Sequence, residues 1–288
     1  MNYFDTNKKY LITGGTGFLG EKLVEVLLAK GLRLRIIARN EGKLIELKQK
    51  HPSIEIYTGD VCDPFIAHQV CQGIDGVYHL AAYKHVGLAE KFSYECTQSN
   101  VIASLNILQE SLRPDNRFDF VLGISTDKAA QVSGVYGATK YLMESLFVQY
   151  ETLNPQTQYR IVRYGNVIYS TGSVLCKWKK LLQEGQEVVV TDSEATRFFW
   201  TRDEAVALIF ECLDTATSAS PYVPAMKSMD IKSLLGAMAE KYLPAGETLK
   251  IKTIGLQPGE NLHEKILADG KYSNEVERFT IPEILEKI

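Results

Sequence analysis

Four residues between Ser125 and Lys140 have types and spacing suited to moving protons: Asp127, Lys128, Tyr136 and Lys140. Asp127 stands beside Lys128, Tyr136 follows nine positions after Asp127, and Lys140 follows four after Tyr136. Positions i and i+4 share one face of a helix. An ammonium there favours the phenolate and lowers the tyrosine pKa toward the working pH. That makes Tyr136 a candidate general base for an alcohol under oxidation. The competing reading of Asp127–Lys128 is a solvated surface pair, which contributes little. Position argues against it. The apolar run "FVLGIS", Phe120–Ser125, leads straight into the pair. The pair is therefore expected at the carboxyl end of a strand, where open α/β sheets bind ligands.

The rest of the chain supplies elements able to hold that stretch. "YLIT" is a short apolar run that stops at glycines, as a buried parallel strand does. "FLGEKLVEVLLAKG" has helical apolar spacing and stops at Gly31. "LRLRIIAR", "IEIYTGD", "GVYHLAA", "FDFVLGIS" and "YRIVRYGNV" read as further strands. "KLIELKQK", a long stretch from about Tyr94 to Leu112, and Val135 to Glu151 read as helices. Strand and helix in alternation predict an α/β fold, a Rossmann-like doubly wound parallel sheet. The expected organisation is a dinucleotide-binding domain over residues 1–166 that carries the catalytic residues. A smaller C-terminal substrate-binding part, partly interleaved with the core, is expected over residues 167–288, where the rhythm weakens. No internal repeat is evident.

"TGGTGFLG" follows the first strand and opens the first helix. Gly14, Gly17 and Gly20 let backbone approach a pyrophosphate, with helix N–H groups and dipole pointing at it. Gly14, Thr16, Gly17, Phe18 and Leu19 are expected to line a dinucleotide. After the second strand an acid would bind the ribose of NAD. This chain has Arg39 there, which suits the 2′-phosphate of NADP, so NADP is expected over NAD. Asp60, with Val61 beside it, ends the third strand where a carboxylate can accept from an adenine amino group. Ala81 and Ala82 are small enough for close backbone approach.

The 288 residues are 45% hydrophobic and 23% charged, values of an ordinary globular chain. A net charge of −3 gives no nucleic-acid footprint. Five scattered cysteines without a C-x-x-C fit a reducing compartment. No apolar run suggests a signal peptide or a membrane span, so a soluble cytoplasmic protein is expected. His79 and His85 have no partner set for a metal, and none is expected.

With more residues a resemblance emerges. The glycine turn plus Y-x-x-x-K resembles the extended short-chain dehydrogenase/reductases. "AAYKHV", "STDKAA", "YGATK", "VRYGNV", "TRFFWT" and "GLQPGENLHE" follow in that order. Together they resemble soluble, C5-inverting UDP-N-acetylglucosamine 4,6-dehydratases. The resemblance spans about residues 8 to 268. A configuration-retaining branch has methionine at the place of Tyr136. The resemblance implies oxidation at C4 with Tyr136 as base, C5 deprotonation by a neutral Lys128, and proton donation to the C6 hydroxyl by Asp127. Thr126 or Ser125 would hold the ketone oxygen. The resemblance also implies Lys84 at the cofactor and sugar, with His85, Asn166, Ser173, Arg197, Gln257 and Glu260 on the substrate side. A homo-oligomer is implied too. Two positions depart from the family: Gln257, followed by Asn261, and Thr171 stand where arginines are usual. Glutamine cannot replace the bidentate charge of arginine, which points to a different diphosphate grip or nucleotide. The rival readings are a 4-epimerase or 4-keto reductase, and a non-enzymatic NADP-sensing regulator.

Overall fold

A computed structural model describes residues 3–288. The chain runs β1 (Lys9–Thr13), α1 (Phe18–Ala29), β2 (Arg33–Ala38), α2 (Glu41–Lys50), β3 (Glu55–Thr58), α3 (Pro64–Cys71) and β4 (Gly76–His79). It continues through α4 (Val86–Ala89), α5 (Ser93–Thr97), α6 (Ala103–Glu110), β5 (Phe120–Thr126), α7 (Val135–Leu153) and β6 (Gln158–Tyr164). Then follow β7 (Asn166–Val167), α8 (Val174–Gln183), β8 (Val188–Val190), β9 (Thr196–Trp200), α9 (Arg202–Thr215) and β10 (Pro221–Tyr222). β11 (Ser228–Asp230), α10 (Ile231–Tyr242), β12 (Ile251–Thr253) and α11 (Ile281–Lys287) complete it.

The main sheet has seven strands in the order β10-β6-β5-β4-β1-β2-β3, all pairs parallel. This is the expected Rossmann-like doubly wound sheet. Alternate residues of the strands feed two cores. Ile12, Ile36, Tyr78, Phe120 and Val162 pack with α1 and α9. Leu11, Ile37, Val77, Val121 and Ile161 pack with α3, α6 and α7. Burial on both faces explains why these strands read as unbroken apolar runs. From β1 the chain winds outward to β3, then returns to place β4 on β1's other side. That reversal opens a crevice at the strands' carboxyl ends. A third core, with Trp178, Phe199 and Met238, joins α8, β8, β9 and α10.

The glycine turn is as tight as its spacing implies. A Cβ at Gly20 would lie 2.4 Å from the Gly14 carbonyl oxygen and 2.7 Å from the Gly15 Cα. Backbone cannot yield there as a side chain can. Gly20→Ala is therefore expected to destabilise the protein by about 1–3 kcal/mol, read from denaturant midpoints.

Two elements differ from their sequence reading. The long helix is broken by a π turn at Gln98–Ile102 between α5 and α6. The extra residue aims buried Asn100 at the Tyr83 backbone, which it both donates to and accepts from, at 3.1 and 2.8 Å. The strand "YRIVRYGNV" ends at Tyr164, and Asn166–Val167 joins β9 in another sheet. At Gly165 between them a Cβ would sit 2.4 Å from the Phe198 carbonyl oxygen, so the chain crosses β9 at backbone contact.

Candidate active site

β5 delivers Thr126 and Asp127 to the sheet's carboxyl edge, and one turn of 3₁₀ helix, Asp127–Ala129, follows. The Thr126 hydroxyl donates to Asp127 Oδ1 at 2.9 Å. Lys128 Nζ lies 3.3 Å from the same oxygen and 3.0 Å from Glu264 Oε1. Asp127 is 1% exposed, and its Oδ2 is buried without a partner. A buried carboxylate oxygen without a donor is costly, which favours the protonated acid. Ser125 Oγ is likewise buried and unpartnered. α7 begins nearby and carries Tyr136 and Lys140 on its first two turns.

Burial raises the Asp127 pKa, and the Lys128 ammonium only partly offsets this. Burial would lower Lys128, but Asp127 and Glu264 outweigh it and hold the amine above its ordinary value. The resting site therefore favours the ammonium of Lys128, and the neutral amine expected at the ketone stage has to arise by proton transfer. Burial would raise Glu264, but Lys128 and Arg197 hold it down. Tyr136 is pushed up to about 12 by burial, with a Thr126 hydrogen bond opposing. Burial, not Lys140, dominates the phenol, and Lys140 Nζ donates to the Ile124 carbonyl at 2.8 Å. Burial brings Lys140 itself down to about 8.

One cavity of about 690 Å³ runs from the glycine turn to this cluster. Gly14, Thr16, Gly17, Phe18, Leu19, Arg39, Asp60, Val61, Ala81, Ala82, Lys84, Tyr136 and Lys140 all line it. Gly14 takes a φ of +71°, and a Cβ there would meet the Ala81 amide at 2.8 Å. Gly17 caps α1 without a side-chain hydrogen bond, so first-turn N–H groups remain available to a phosphate. These features fit a dinucleotide. Arg39 Nη1 lies 3.6 Å from Asp60 Oδ2, and both are well exposed. Lys43, which the sequence reading missed, is a further cation lining the same end. Its signal was only its place one turn into α2.

Thr126, Asn166, Ser173 and Lys84 line the same cavity, and Lys84 donates to the Thr171 carbonyl at 2.8 Å. His85, Arg197, Gln257 and Glu260 are not among its lining residues. Arg197 is buried and donates to the Thr196 and Leu262 carbonyls, both at 2.9 Å, so it anchors backbone. Gln257 and Glu260 close their own loop, the Gln257 N–H donating to Glu260 Oε2 at 3.1 Å. His85 packs beside Gly172. Glu264 was missed: it lies inside "GLQPGENLHE", but nothing local ties it to Lys128, 136 residues earlier.

The parallel sheet, the uncapped glycine turn and the crevice at the switch point define a Rossmann-like α/β protein with a nucleotide-sized cavity. The chain belongs to the polysaccharide biosynthesis protein family, whose model matches residues 10–284. It is 34% identical over 268 residues to a UDP-N-acetylglucosamine 4,6-dehydratase (inverting) of Campylobacter jejuni, covering 91% of this chain and 78% of that protein. It is also 34% identical, over 283 residues, to an uncharacterized membrane protein of Methanocaldococcus jannaschii, covering 95% and 84%. Among the described residues no helix is long and apolar enough to cross a membrane. The X-ray structure of Pen from Bacillus thuringiensis superposes with a TM-score of 0.90 at 26% identity, covering 99% of this chain and 97% of that one. Among the described residues no group of His, Cys, Asp and Glu is arranged to hold a metal.

Proposed function

We propose that this chain is an NADP-dependent UDP-N-acetylglucosamine 4,6-dehydratase that inverts C5. The observation that carries the reading is Asp127: buried, raised in pKa, with one unpartnered oxygen and Lys128 hydrogen-bonded to the other. A 4-epimerase would need Tyr136 and Lys140 but has no use for that acid–base pair. The name carried by the Campylobacter relative supports the same choice.

Tyr136 takes the proton of the C4 hydroxyl. When bound, the nicotinamide supplies the hydride acceptor at C4 and the hydride donor at C6. The resulting ketone acidifies the C5 hydrogen. Lys128 then has to be neutral and Asp127 protonated, and one proton passing from Nζ to Oδ1 across 3.3 Å makes both. Burial favours this uncharged form of the pair. The amine accepts the C5 proton, and Asp127 protonates the C6 hydroxyl, which leaves as water. The pair returns to ammonium and carboxylate. The proton held by Tyr136 equals the one C5 must regain, and inversion follows when that proton enters opposite Lys128.

Incubation with UDP-N-acetylglucosamine and NADP+ should give a product lighter by one water. An isomer of unchanged mass would sink the dehydratase reading. Arg39 carries the choice of cofactor. Arg39→Asp should weaken NADP by about tenfold or more, the worth of one charge-assisted hydrogen bond, and NAD far less. Equal losses measured by titration would remove Arg39 as the phosphate ligand.

A further inference from the structure

We infer that Glu264 is a positioning residue of this active site, fixing Lys128 against Asp127 and governing when its amine is free of a proton. The inference rests on the reading of Lys128 as the C5 base. Glu264 Oε1 is nearer to Lys128 Nζ, at 3.0 Å, than Asp127 is at 3.3 Å. The Glu264 side chain is 1% exposed.

The carboxylate is held independently of Lys128. Its Oε2 accepts from Asn261 Nδ2 at 3.1 Å, and its backbone N–H donates to Ser273 Oγ at 2.9 Å. Ser273 in turn donates to the Thr196 carbonyl at 3.0 Å. Two buried arginines pin the flanking backbone: Arg197 through Leu262 O at 2.9 Å and Arg163 through Ile266 O at 2.8 Å. Arg163 is itself locked on Glu144 by a fork of 2.7 and 2.6 Å bonds. The segment is thus rooted in β6 and β9; Arg197 Nε also lies 3.9 Å from Glu264 Oε1, and neutralising Glu264 removes that ion pair while the bonds to the Leu262 and Ile266 carbonyls remain.

The groups facing Lys128 are Asp127 from its own turn, Glu264 from this segment, Arg197 from β9 and the Tyr136 phenol from α7. Glu264 favours the ammonium, whereas Arg197 and burial favour the neutral amine. With Glu264 neutral, the balance moves toward the amine, and Lys128 gives up its proton at lower pH.

Competitive labelling with trace acetic anhydride across pH, read by peptide mass spectrometry, reports the neutral fraction of Lys128 without turnover. In the native protein its midpoint should lie above those of exposed surface lysines. In Glu264→Gln it should fall by about 1–3 units, the usual effect of an opposite charge at this range. An unmoved midpoint overturns the inference. Should the variant not fold, a native midpoint at or below the surface lysines overturns it equally. The acid limb of dehydration should move the same way in Glu264→Gln. A labelling midpoint that falls while the native protein removes no water from UDP-N-acetylglucosamine sinks the function proposed above and leaves the Glu264–Lys128 coupling standing. Dehydration with an unmoved midpoint does the reverse.

Discussion

Lys128→Met should let C4 oxidation proceed and stop the loss of water. Tyr136 and Lys140 are untouched by the change, so the hydroxyl still has its base. The C5 proton then has no acceptor, and the intermediate ketone stays in the site. Single-turnover absorbance in the band of the reduced cofactor should rise and persist with substrate. Product mass should show water loss slowed by about 10²–10⁴-fold, the usual worth of a general base. Methionine keeps an unbranched side chain one atom shorter than lysine and removes the charge. It leaves Asp127 and Glu264 with Arg197, 3.9 Å from Glu264 Oε1, as the remaining neighbouring cation. Normal dehydration by this variant would eliminate Lys128 as the C5 base. In heavy water the native enzyme should place deuterium at C5 and none at C6, since C6 receives the hydrogen from C4.

Tyr136→Phe should fail one step earlier. No group would remain to take the C4 hydroxyl proton, so neither reduced cofactor nor lighter product should form, with a loss of about 10²-fold or more. The two variants therefore differ in the absorbance trace while both lose product. A Tyr136→Phe protein that still builds up reduced cofactor would move the first proton transfer to another group. Because burial holds the phenol up at about 12 in the resting protein, the first step should also speed up as pH rises. Removing the Thr126 hydroxyl, whose hydrogen bond opposes that rise, should slow it.

Much of this site is legible along the chain because strand ends are. Gly14, Arg39, Ala81 and Thr126 each close a run whose apolar pattern marks it as a buried strand, Asp60 follows the half-exposed edge strand β3, and parallel strands bring their carboxyl ends to one edge. Tyr136 and Lys140 follow from helical spacing alone. The charge state of Lys128 follows only in part, because besides its neighbour Asp127 it depends on Glu264, a contact made across 136 residues. The resemblance placed Arg197 and Gln257 with the substrate, and neither is placed by a local rule. Arg197 turns its guanidinium to backbone carbonyls, and Gln257 lies on an exposed loop that bonds to itself. The π turn at Gln98–Ile102 and the break at Gly165 are also tertiary. Each exists to meet a surface, Tyr83 or Phe198, that the local sequence does not contain.

The pinning of Leu262 and Ile266 by Arg197 and Arg163 has a consequence for the order in which the protein matures on the ribosome. Chains fold from their amino end as they emerge, at about 5–20 residues per second. All of β1 to β6 precedes the segment that bears Glu264, so the nucleotide crevice can close while translation continues. During that interval Asp127 and Lys128 are together, but the second of the two carboxylates that hold the lysine charged has yet to be synthesised. The nascent chain thus acquires its cofactor half first and its chemical restraint last.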